Sequence, residues 1–241
     1  MGGNVVIYGC SFTGCTTTGK GGGIFTDGCN IVNITNSIFQ NNSARFGGGA
    51  YHTQTDQIFL TRITVIDNQA EFIGGLMLDG TEKTNFLSHV KYTNITHNKA
   101  IEWCGGIRCD HGGGIFENSV IDSNEAKTSA GFFDFAWKPS KRTLKFSIFS
   151  NNIADHRSGG FCAFHVIHES SFSYCEFFGN NCKNDPNSIY IESVDSVVSL
   201  ENCFFQGEKN EEIGIRFDSS EFVLNENVTF GAKPTHARKE P

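Results

Sequence analysis

Residues 39–50 read Phe39-Gln40-Asn41-Asn42-Ser43-Ala44-Arg45-Phe46-Gly47-Gly48-Gly49-Ala50. The order is an aromatic residue, an asparagine three positions on, an alanine two beyond it, then glycines and a small apolar residue. The same order returns along the chain. The asparagine column continues through Asn68, Asn98, Asn124, Asn152 and Asn181, at intervals of 26, 30, 26, 28 and 29 residues. One further step reaches Cys15 upstream and Glu208 downstream.

Other columns keep step with this marker. Three residues before it stand Phe12, Phe39, Val65, Ile95, Ile121, Phe149, Phe178 and Phe205, all apolar. Two residues after it stand Ala44, Ala70, Ala100, Ala126 and Ala154. Next comes a small pair, such as Gly22-Gly23, Gly48-Gly49, Gly74-Gly75 and Gly105-Gly106, each followed by an apolar residue. Eight residues before the marker, Ile7, Ile34, Leu60, Val90, Phe116, Leu144 and Leu200 are apolar, with Ser173 the exception.

A period in this range signals a repeat architecture. Each repeat holds short β-rich runs, such as Ile31–Ile34 and Ser37–Phe39, bounded by turn-forming Gly, Asn, Asp or Ser. No segment sustains a 3.6-residue period, so helical repeats are disfavoured. Leucines are too sparse for leucine-rich repeats, and propeller blades need ~40 residues or more. The sequence therefore predicts an all-β, right-handed parallel β-helix of about eight coils with a 26–30-residue period. The handedness comes from the family resemblance described below. About three short strands per coil, stacked at ~4.8 Å, give a rod roughly 40 Å long. Residues 1–230 read as one repeat array and 231–241 as a disordered tail.

The column chemistry suits stacked coils. Asn42, Asn68, Asn98, Asn124, Asn152 and Asn181 are expected to form a side-chain amide ladder. The alanine column suggests a crowded inward site, and the glycine pair suggests positive φ or close backbone approach. The apolar column before each asparagine reads as interior.

Composition narrows the function. With 26 acidic and 19 basic residues the net charge is −7, which argues against a nucleic-acid binder. No apolar stretch approaches the ~18 residues of a membrane helix, and no signal peptide is visible at Met1-Gly-Gly-Asn. The nine cysteines are odd in number and fit no small disulfide scaffold, so most read as buried thiols.

The motifs Phe39-Gln-Asn-Asn42, Phe149-Ser-Asn-Asn152 and Phe178-Gly-Asn-Asn181, with Gly47-Gly-Gly-Ala50 and Gly-Gly-Ile at 22–24, 105–107 and 113–115, resemble the polymorphic outer membrane protein repeat. That repeat is known from chlamydial surface proteins and from other bacterial and protist proteins. The resemblance covers about residues 5–215 and departs from the pattern at Cys15 and Glu208. It implies a right-handed, pectin-lyase-like β-helix displayed at a cell surface or secreted, and used in adhesion. The partner it implies is a host surface protein or glycan.

Three sets of residues are candidates for chemistry. Four residues past the glycine pair, Asp27, Thr53, Asp79 and Asp110 share a column. Asp79 and Asp110, one coil apart, could share a Ca²⁺ or couple their titrations, with Arg108 pointing the same way two residues before Asp110. That would suit a polysaccharide lyase or hydrolase, whereas the plain reading is that Asp ends strands because it suits turns. Cys162, His165 and His168 contain metal-capable groups, but residues 162 and 165 of one strand face opposite sides. No cofactor is expected. Phe25, Tyr51, Met77 and Phe133 share a column that is either a partly aromatic binding stripe or core, depending on strand phase. The leading expectation is a non-enzymatic, adhesin-like surface module, with a carbohydrate-active enzyme or its inactive relative as the alternative. Membrane insertion by the chain is not expected. Open coil ends make end-to-end self-association an expected property.

Overall fold

In the computed structural model, residues 2–81, 87–135, 140–164, 168–193, 195–216 and 219–231 are described. Beyond Gly231, the expected tail lies outside them. The chain winds into a parallel β-solenoid of eight coils and a partial ninth. The second to seventh coils pass through four strands rather than three, and equivalent strands stack into four all-parallel sheets. They are named here sheets 1 to 4, in chain order within a coil. Sheet 1 has nine strands, from Asn4–Tyr8 to Glu221–Leu224, and sheet 2 has nine, from Ser11–Thr13 to Thr229–Phe230. Sheet 3 has six strands of two residues, from Ser43–Ala44 to Asn181–Cys182. Sheet 4 has eight, from Ile24–Asp27 to Ile213–Ile215. The fourth strand was hidden because two residues are too few to show alternation.

The interior follows from the columns. Ile34, Leu60, Val90, Phe116 and Leu144 are register partners in successive coils and are fully buried. In sheet 2, Phe12 stacks on Phe39 at 5.0 Å, and Phe149, Phe177, Phe205 and Phe230 continue as near-parallel rings 4.7–4.9 Å apart. In the middle coils Val65, Ile95 and Ile121 replace the rings, and Phe116 and Phe132 meet edge to face at 4.8 Å nearby.

The asparagine ladder is continuous. The Oδ1 of Asn98 accepts both the backbone N–H and the Nδ2–H of Asn68, at 3.1 and 2.9 Å. The second Nδ2–H of Asn68 goes to the Phe39 carbonyl at 2.9 Å. Asn42, Asn98, Asn124 and Asn152 repeat the pattern, each buried. The sixth rung is Asn180 and not Asn181: Asn152 Nδ2 donates to Asn180 Oδ1 at 3.0 Å. The residue before every rung takes left-handed φ, and in this coil that residue is Gly179 at +63°. The shift by one repairs three columns. Phe177 replaces Phe178, buried Phe172 replaces Ser173, and Cys182 extends the alanines.

The glycine pairs answer to close approach. A Cβ on Gly75 would lie 2.3 Å from the Gly106 carbonyl oxygen, and one on Gly48 2.4 Å from that of Gly74. The alanines, though buried, stand outside the main interior cluster. With Lys99, Ile101, Glu125 and Ile153 they line shallow grooves on sheet 3.

One feature of the interior is polar. Arg142, fully buried, reaches from sheet 1 across the core to Asp134 on sheet 4, with Nε and Nη2 at 2.9 and 2.7 Å from its oxygens. Nη1 donates to Ser88 Oγ at 3.0 Å and Nη2 to the Gly112 carbonyl at 3.2 Å. Burial works against the charge, but the Asp134 carboxylate holds the guanidinium above its ordinary pKa. Gly114, the register partner of Arg142, leaves the room: a Cβ there would meet Ser88 Oγ at 2.3 Å and Nη1 at 3.0 Å.

Candidate functional site

Sheet 4 carries the candidate residues. Alternation sends Ile24, Ala50, Leu76, Ile107, Phe132 and Phe161 into the main core. The next column, Phe25, Tyr51, Met77, Arg108, Phe133 and Cys162, is in register coil by coil and lies outside that core. It is an outward column, yet it is mostly covered. Phe25 is 45% exposed, whereas Tyr51, Met77 and Phe133 are buried.

The cover is an aromatic ledge formed just past the alanine column. Phe46 stacks on Phe72 at 4.6 Å, and Phe72 meets Trp103 at 4.5 Å. Phe46 also touches Tyr51 edge to face, and Ile73, Met77 and Tyr51 fill the space beneath. Trp103 is exposed and the two phenylalanines are half-buried. Sequence reasoning missed this row. Its signal was an aromatic four or five positions past three successive markers, blurred by the extra residue before Trp103.

Cations lie on these rings. Lys20 Nζ sits 4.8 Å from the Tyr51 ring and 5.7 Å from Phe25. The Arg45 guanidinium lies over Phe46 and Phe72 at 5.3 and 5.6 Å, and pairs with Glu71 at 3.0 Å. Both Lys20 and Arg45 are exposed. Arg108 is buried among Trp103, Phe133 and Phe135. Further along the same face, Arg157 lies 4.0 Å over Phe164 and pairs with Glu192, which Arg216 also contacts.

The three catalytic candidates, Asp79, Asp110 and Arg108, come together, but each is engaged. Asp79 and Asp110 are register partners. Arg108 grips Asp110 through both oxygens, at 2.7 and 2.9 Å. Asp79 accepts Thr53 Oγ1 at 2.6 Å on one oxygen and faces His111 Nδ1 at 3.0 Å with the other. Burial raises the Asp110 pKa while Arg108 opposes the rise. The Tyr51 hydroxyl is pushed up to about 12 by burial and then by the two carboxylates. The column ends upward at Phe135 and Phe164. Among the described residues no cluster of three or more His, Cys, Asp or Glu side chains could hold a metal ion. The metal-capable residues Cys162, His165 and His168 fall partly outside them, at His165 and the His168 side chain.

Among the described residues no helix is long and apolar enough to cross a membrane. The chain matches no family profile and no solved structure. It is similar to a curated protein of Escherichia coli (strain K12), the probable autotransporter YfaL, with 30% identity over 121 residues. The similarity covers 45% of this chain and 10% of that protein, so the chain spans about a tenth of the length of the relative it matches.

Proposed function

We propose that this chain is a β-helical stretch of a cell-surface or secreted protein, and that the outer face of sheet 4 holds a glycan on a target surface. The observation that carries the reading is the ledge of Phe46, Phe72 and Trp103, with exposed Arg45 on its rings, open Phe25 beside it, and exposed Lys20 over Phe25 and Tyr51. The outer edges of these stacked rings, about one coil apart, offer apolar surface to sugars laid along the rod. Flanking Arg45, Glu71 and Asp27 supply partners for hydroxyls. The autotransporter similarity and the resemblance to chlamydial surface repeats support the location.

The test is binding of the purified chain to a glycan array and to cell surfaces, against an unrelated β-rod. The Phe72→Ala/Trp103→Ala variant should bind roughly tenfold less or worse, as expected for aromatic anchors. Wild-type binding no better than the control rod, or equal binding by the variant, would overturn the reading. A polysaccharide lyase or hydrolase gains nothing from this geometry, because both oxygens of Asp79 and of Asp110 are engaged. Polyuronate should stay intact with or without Ca²⁺. Cleavage that falls in Asp110→Ala would reinstate the enzyme.

A further inference from the structure

The corner between sheets 1 and 2 repeats in every coil as a left-handed residue, followed by a hydroxyl or thiol residue except at Ile63 and Val228. Along the rod the hydroxyl or thiol residue includes Ser37, Thr93, Ser119, Ser147, Cys175 and Cys203. Each hydroxyl donates to the carbonyl two residues back: Ser37 to Thr35, Thr93 to Lys91, Ser119 to Glu117 and Ser147 to Lys145, at 2.8–3.1 Å. It also accepts from the coil below, as Ser119 Oγ does from the Thr93 N–H at 3.2 Å. The last two rungs are thiols in the same place. Cys175 Sγ donates to the Ser173 carbonyl at 3.5 Å and Cys203 Sγ to that of Glu201 at 3.3 Å.

These two thiols are stacked neighbours. Ser173 pairs with Glu201 and Glu176 with Phe204, so Cys175 faces Cys203 across one strand spacing. That spacing, about 4.8 Å, lies inside the Cα separations a disulfide spans. No other two of the nine cysteines face each other in register among the described residues. Cys10 faces Ser37, Cys15 faces Asn42, Cys162 lies between Phe133 and Tyr190, and Cys109 between Leu78 and Asp134.

We propose that Cys175 and Cys203 are a redox-closable pair, which a disulfide-bearing oxidant joins into a staple between the seventh and eighth coils. The Cys203 thiolate attacks one sulfur of the oxidant, forming a mixed disulfide and expelling the first oxidant thiol. The Cys175 thiolate then attacks the Cys203 sulfur, and the second oxidant thiol leaves. The protein gives up two electrons and two protons, and the oxidant disulfide leaves as two thiols. The Cys175 contact lowers the Cys203 pKa, while burial raises that of Cys175, which fits Cys203 as the first nucleophile. Both thiols are buried. Among the described residues, the strands Glu221–Leu224 and Thr229–Phe230 are those that lie beyond Cys203 in this stack. Oxidation therefore proceeds during folding, or when the coils around Cys203 open locally.

The test uses the full chain, refolded with oxidised and reduced glutathione or with reduced glutathione alone, then alkylated, digested and weighed. The expected product is one cross-linked peptide pair holding Cys175 and Cys203, absent under reduction and in Cys175→Ser. Serine is the column's own residue, so this variant keeps the fold. Oxidation should raise the unfolding midpoint of the C-terminal coils by roughly 5–10 °C in wild type and leave Cys175→Ser/Cys203→Ser unmoved. Two alkylated thiols after oxidative refolding would overturn the proposal. So would a bridge from either residue to a third cysteine, or glutathione retained on Cys203.

Discussion

A buried carboxamide in this solenoid is held by four hydrogen bonds, and losing one rung strands its neighbours. Asn124→Ala would leave the Asn98 N–H, the Asn98 amide and the Ile95 carbonyl without their partner. Each unsatisfied buried group costs about 1–3 kcal/mol. The variant is therefore expected to lose at least ~3 kcal/mol, measured as a shift of the urea midpoint at unchanged slope. His52 makes a second prediction at this scale. It is fully buried inside sheet 4 beside Thr26 Oγ1 at 2.8 Å, and its Nε2 has no partner. Burial lowers its pKa to about 4. Above the unfolded value of ~6.5 the ring is neutral in both states, so stability is unaffected. As pH falls from there towards 4, the unfolded chain takes the proton first and stability drops, by roughly 3 kcal/mol in all. His52→Leu, which copies its register partner Leu78, should remove that slope in urea titrations run across this pH range.

At the scale of the strand, the buried Arg142–Asp134 pair sets two sheets against each other. Asp134→Ala leaves a guanidinium uncompensated in the core and should cost about 3–5 kcal/mol. Arg142→Met/Asp134→Leu should recover much of that loss in the same denaturation assay. The pair was invisible to a reading that followed motifs, because Arg142 follows a lysine and looks solvated, and Asp134 sits between phenylalanines. The signal lay in size along a column. Ile58 gives way to Ser88 and Gly114 before Arg142, and to Ser170 after it, so space is cleared for one long side chain. Columns of identical residues were legible because every coil imposes the same demand on them. The ledge was harder to see, since an insertion before Trp103 shifted it by one. The stripe of Phe25, Tyr51, Met77 and Phe133 was placed in one column from sequence, but its cover depends on the ledge, a different part of the coil. The Asn181 assignment failed at a doublet, where Phe177-Phe178 and Asn180-Asn181 fit equally well until the left-handed Gly179 fixes the register.

For the molecule as a whole, contacts run almost entirely between adjacent coils, so stability is a sum of local terms. Deleting residues 1–30 should remove the first coil and leave the remaining sheets intact, with circular dichroism reduced in proportion to the strands lost. A collapse of the whole spectrum would show that coil one nucleates the rest. The asparagine ladder adds a property that no single coil has. Every Oδ1 faces the preceding coil and every Nδ2 hands a hydrogen to the next. Six carboxamide dipoles thus point the same way, negative towards Asn42 and positive towards Asn180. The rod is a vector. A visitor at its beginning must offer hydrogens, as the Cys15 N–H does to Asn42, and one at its finish must offer lone pairs, as Ser188 Oγ does to Asn180. Both poles of that vector lie inside the rod and are already met, by the Cys15 N–H at one and by Ser188 Oγ at the other, so the fold itself supplies the opposite groups.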